Sequence, residues 1–186
     1  MQQHETFQLL KKIDGEQAYD VLKVIVYNDD MNLRSIEQYF TRLHLALLAA
    51  NRATDAWCLA LLLWLNMKHS DCYEMIKIKQ VSIEILLREL CAIFDIPKFK
   101  PDSDELHNVL YTIAALLVYY AVKWEYGKNN ILNSLSNETL KSLIPSISDT
   151  ETNDFKEFIK KYTSRIDIDS TFAIIELTSP GVMYQM

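Results

Sequence analysis

Glycine is scarce in this chain: Gly15, Gly127 and Gly181 are the three among 186 residues, and each stands alone. Glycine supplies the positive φ of hairpin turns and the close backbone approach of phosphate-cradling loops, so its scarcity removes both kinds of site and leaves helix as the expected structure. Cysteine is as sparse. Cys58, Cys72 and Cys91 are odd in number and make no CxxC pair. Cys58 and Cys91 sit in apolar helical text, where reduced cysteine behaves as a small hydrophobe, so a reduced, cytoplasmic setting is expected. The opening MQQHETFQLLKK puts acid and amide residues before a short apolar patch, without the basic-then-apolar order of a signal peptide. Long hydrophobic runs are missing too. Residues 56–65 and 113–122 are apolar, but each run is about half the length of a bilayer span, so both are expected to be buried helices and no membrane partner is expected.

Basic residues are in deficit, 19 against 25 acidic ones, for a formal charge of −6. This disfavours non-specific attachment to nucleic acid or an anionic membrane and favours a basic partner. The acidity lies toward the ends: residues 1–30 hold three Lys against six acids, and residues 131–186 hold five basic side chains against eight acids. Residues 31–70 run the other way, with four basic and two acidic side chains.

What is present in quantity is apolar surface. A hydrophobic fraction of 49% over this length can build a core without disulfide or metal, so one helical domain spanning 1–186 is expected. Its fold class is all-α, with about six to nine helices in bundle-like or orthogonal packing. Ile36, Phe40, Leu43, Leu47 and Ala50 alternate spacings of four and three, which lays one stripe along a helix. Trp57, Leu61 and Trp64 continue it. Between them Asn51, Arg52, Thr54 and Asp55 favour a tight turn, capped by Thr54 or Asn51, over the waist of one long helix. Asp71 with Glu74 has the spacing of a capping box, opening a helix whose buried face runs Ile76, Ile83, Leu87, Leu90, Phe94, with Lys77, Glu84, Arg88 and Asp95 opposite. Pro97 and Pro101 are expected to end it.

Asp102 and Glu105 open the next helix, which carries Leu106, Leu110, Ile113, Leu117, Tyr120 and Trp124 on one stripe to a stop at Gly127. Because 113–122 is apolar on every side, that helix and the one over 56–65 are expected at the centre, with Leu61 and Leu117 almost fully buried. Residues 127–153 form a polar, loop-rich segment around Pro145. Ser148 and Glu151 make another box before an amphipathic helix through Phe155, Phe158, Ile159 and Tyr162. Two stretches are open between strand and helix: Val21 to Tyr27, and the tail, where Asp169 as cap would start a short helix over Phe172 to Leu177.

Catalytic motifs are missing. There is no phosphate loop, HExxH helix, Glu-x-x-His pair or GxSxG elbow. His69, Asp71 and Cys72 could ligate zinc, but a closed tetrahedral site needs a fourth ligand, and a helix start with Asp71 as cap explains them better. Folding is therefore expected to need no metal, and no cofactor is implied. His107 beside Asp104 and Glu105 could serve as a base, although an exposed histidine in a helical first turn explains it as well. His44, between two leucines, is expected at a core boundary. Tyr111, Tyr119, Tyr120, Trp124 and Tyr126 could line a ligand pocket or a base-stacking groove. Core packing is favoured, and the lack of Lys or Arg between Glu105 and Lys123 weakens the groove further.

An acidic helical domain without catalytic parts fits a non-catalytic protein that binds another protein. The best match is an immunity-type inhibitor that neutralises a basic, nuclease-like toxin, and direct nucleic-acid binding is not expected. Asp29 and Asp30 in a turn, with Asp149, Glu151 and Asp154 in the later polar segment, are the candidate partner-binding residues. Taken singly, each is also explained as a solvated cap or loop residue. A helical enzyme, a small-ligand binder with an aromatic-lined pocket, and an adaptor or chaperone for a secreted protein are the alternatives.

Overall fold

Residues 17–28, 31–50, 55–78, 81–96, 104–120 and 168–178 are described by a computed structural model. Among them stand seven α-helices and no strand, so the fold is all-α. They are α1 (Gln17–Asn28), α2 (Leu33–Ala49), α3 (Ala56–Lys68), α4 (Ser70–Ile78), α5 (Ile83–Ile93), α6 (Asp104–Tyr120) and α7 (Ile168–Leu177). The contacts sort the chain into two compact units, one of residues 1–77 with 165–186 and one of residues 78–164.

The first unit is built around α3. All ten residues from Ala56 to Leu65 are buried, which requires neighbours on every side of the helix; α1, α2 and α7 supply them. Ala18, Val21, Leu22 and Ile25 turn inward from α1. Burial at Ala18, Val21, Leu22 and Ile25 with Tyr19 and Val26 exposed follows the helical period, and the stretch left open between strand and helix is helix. Tyr39, Phe40, Leu43, Ala46 and Leu47 are the buried residues of α2. The Tyr39 hydroxyl donates to the Ala60 carbonyl oxygen at 3.0 Å, tying α2 to α3. Phe172 and Ile175 are buried on α7, and the Phe172 ring meets Tyr73 of α4 edge to face at 5.5 Å. Lys77 of α4 pairs with Glu176 of α7.

Four local expectations need correction. The break between α2 and α3 is real, with Ala50 and Asp55 both extended, but Asp55 is the N-cap of α3 and its side chain makes no capping hydrogen bond; residues 51–54 lie outside the described residues. Asp71 does not cap. Helix α4 already starts at Ser70, after the Tyr73 N–H bonds the His69 carbonyl at 3.1 Å, so Asp71 lies in the first turn, where its charge favours the helix dipole. The stretch 71–95 is two helices: Ser82 is the N-cap of α5, and its Oγ accepts from the Ile85 N–H. Ile76 and Ile83 lie two helical turns apart, which keeps the stripe in register across the break and hides it from periodicity. In the tail the helix begins at Ile168, which places Asp169 inside its first turn.

In the second unit α5 packs on α6. Ile83, Leu86, Leu87 and Leu90 are buried on α5 and Phe94 at its C-cap, and every residue from Thr112 to Leu117 is buried on α6. Helix α5 ends at Ile93 with Phe94 as its C-cap, and Asp95 beyond it, at φ 45°, makes the left-handed turn that closes the helix two residues before Pro97. The Tyr120 hydroxyl donates to the Val81 carbonyl oxygen at 2.6 Å, anchoring α6 to the residue before the α5 cap. Leu61 and Leu117 are both fully buried, as expected. The stop at Gly127, the segment 127–153 and the helix through Phe155 to Tyr162 lie outside the described residues.

Candidate functional site

Helix α2 buries one face and offers the other. Asn32 sets its start, the Oδ1 accepting from the Ser35 N–H at 2.9 Å, and the buried stripe through Tyr39, Phe40, Leu43, Ala46 and Leu47 fixes which residues face out. Arg34, Glu37, Gln38, Thr41 and Arg42 then recur at helical spacing opposite the buried stripe. With Asn66 and Met67 from the last turn of α3 they line an open cleft of about 720 Å3. The cleft lies wholly within the first unit.

Arg42 is the best-held side chain in it. Its Nη2 donates to Asn66 Oδ1 at 3.2 Å. The side chain is half-buried; burial draws its pKa down and the neighbouring Tyr73 opposes this, but a guanidinium so far above neutrality stays charged. The Thr41 hydroxyl donates to the Glu37 carbonyl at 2.8 Å, so its proton is committed within the helix. The Tyr73 hydroxyl is buried and, among the described residues, has no hydrogen-bond partner. Burial holds its pKa well above the usual tyrosine value, Glu176 and Glu74 push in the same direction, and Arg42 works against them. Two guanidinium groups, two carboxamides and one carboxylate make this cleft rich in hydrogen-bond donors, an arrangement that can hold an oxyanion but provides no activated nucleophile.

The zinc candidates separate. His69 is set against Trp64, ring centroids 4.8 Å apart, while Cys72 is buried and Asp71 exposed. Among the described residues no three His, Cys, Asp or Glu side chains gather where a metal could bind. His44 is half-buried, a boundary residue. Tyr120 is in the core, with its hydroxyl spent on Val81. The side chains of His107, Tyr111, Tyr119, Trp124 and Tyr126 lie outside the described residues, as do Asp29, Asp30, Asp149, Glu151 and Asp154. Sequence reasoning missed the cleft itself. Its signals were the positive balance of residues 31–70 and the Arg34, Gln38, Arg42 spacing of four, but nothing in the sequence told that Asn66 and Met67 would close the other wall.

Among the described residues no helix is long and apolar enough to cross a membrane. No family model, curated protein or solved structure matches the chain.

Proposed function

We propose that this chain is a non-catalytic, cytoplasmic protein that works by binding another protein, as an immunity-type inhibitor of a basic, nuclease-like toxin. The observation that carries protein binding is on the outer face of α2. Leu45 and Leu48, 37% and 62% exposed, lie one turn apart on that face, beyond the polar cleft. A single exposed leucine is ordinary, whereas two one turn apart on one face make a small apolar patch of the kind that a protein contact covers. The charge of −6 supports the narrower reading, because complementary potential speeds encounter with a basic partner. Asp29, Asp30, Asp149, Glu151 and Asp154 are the acidic residues proposed to meet it.

The experiment is co-purification of the partner from the native source, followed by association measurements with purified components. Leu48→Asp is expected to weaken association at least tenfold with the helical circular dichroism unchanged. Unchanged affinity, or turnover of a metabolite by the pure protein, overturns the proposal.

A further inference from the structure

We infer that the cleft between α2 and the end of α3 binds a small ligand carrying a carboxylate or phosphate group. The first ground is the balance of donors over acceptors. Arg34 is exposed and, among the described residues, has no ion-pair partner. Asn66 spends its Oδ1 on Arg42, which leaves the Nδ2 group to donate. Gln38 adds a second carboxamide to the lining. Against these donors stands one carboxylate, Glu37. Guanidinium forks match the paired oxygens of carboxylate and phosphate, and such charge-assisted bonds are the strong ones.

The second ground is preorganisation. Arg42 is half-buried and already held by Asn66, so little side-chain freedom is lost when an anion arrives, and its charge is less screened than that of a fully solvated arginine. The third is size. A cleft of about 720 Å3 is within the ~300–1,000 Å3 range of small-molecule sites. Glu37 in the same lining adds an acceptor that a hydroxyl or amine on the ligand could use. This site goes beyond partner binding, and its failure leaves the Leu45 and Leu48 surface untouched.

The test is a titration of the full chain, followed by the arginine Nε–H signals in NMR, with citrate, inorganic phosphate and sodium chloride at matched ionic strength. Saturable shifts at Arg34 and Arg42 with citrate or phosphate, absent with chloride, are expected. Saturation by citrate alone assigns a carboxylate ligand, by phosphate alone a phosphate ligand, and by both the shared oxyanion chemistry. Arg34→Gln is expected to weaken the binding about tenfold, the effect of one charge-assisted hydrogen bond. Arg42→Lys keeps the charge and loses the fork, and is expected to weaken it as well; if that variant does not fold, the exposed Arg34→Gln decides. Shifts that grow without saturating, shifts equal to those in chloride, unchanged affinity in Arg34→Gln, or binding of a hexaglutamate peptide without either small anion would overturn the inference.

Discussion

Two buried tyrosines of the first unit differ in one respect that decides what each hydroxyl is worth. Tyr39 donates to Ala60 at 3.0 Å, whereas the Tyr73 hydroxyl has no partner among the described residues. Removing a satisfied buried hydroxyl costs about 1 kcal/mol, while removing an unsatisfied one relieves a desolvation penalty of about 1–3 kcal/mol. Tyr39→Phe is therefore expected to lower stability by about 1 kcal/mol and Tyr73→Phe to leave it unchanged or raise it, as read from urea unfolding. The same two residues make stability depend on high pH. Burial raises both pKa values above the ordinary 10.0. Below pH 10 the folded and unfolded states both keep these protons; above it the unfolded chain loses them first, so the contribution is full below the unfolded value and is lost as pH rises. Each residue adds a slope of about −1.4 kcal/mol per pH unit above 10. Unfolding midpoints measured between pH 10 and 11.5 should fall less steeply in the double Tyr-to-Phe variant than in the parent protein. Equal slopes would mean that the two hydroxyls ionise freely in the folded state.

At the scale of elements, what could be read from the sequence was the apolar period, and what could not was where helices start. The stripes through Phe40, Leu43 and Leu47, and through Leu87, Leu90 and Phe94, are buried as their spacing required. The runs buried on all sides, 56–65 and 112–117, are where no polar face exists to be exposed. Starts were misread because a cap is a backbone geometry, and an acid followed by a glutamate three residues on also occurs inside a first turn, as at Asp71. The cap strengths yield an ordering. Asn32 accepts from Ser35 at 2.9 Å, but Ser82 accepts from Ile85 at 3.4 Å. Asn32→Ala is thus expected to cost about 1 kcal/mol and Ser82→Ala less than about 0.5 kcal/mol. Asp95, at φ 45°, occupies a conformation that glycine adopts without steric cost, and Asp95→Gly should raise stability by up to about 1 kcal/mol. Thermal unfolding of the three variants checks the order. Truncation inside the fully buried runs is a larger effect: Leu61→Ala and Leu117→Ala, both at positions with no exposure, are each expected to cost about 2–5 kcal/mol, since lost transfer energy and an unfilled cavity add.

Over the whole molecule, charge and exposed apolar surface are expected to act on different steps of association. The excess of acid works at long range, across about 8 Å at physiological salt, and so governs how often a basic partner arrives correctly oriented. Leu45 and Leu48 act only on contact and so govern how long it stays. Reversing Asp29 and Asp30 to Lys, or Asp149, Glu151 and Asp154 to Lys, is expected to slow association with the co-purified partner about tenfold at low salt while leaving dissociation nearly unchanged. Near 1 M salt, where screening shortens to about 3 Å, the difference from the parent protein should vanish. Leu48→Asp should do the opposite, hastening dissociation at every salt concentration. Stopped-flow traces of both sets across a salt series separate the two effects. If charge reversal leaves the association rate and its salt dependence as they were, the acidic residues do not steer the partner, and a leucine-centred contact alone would have to account for binding.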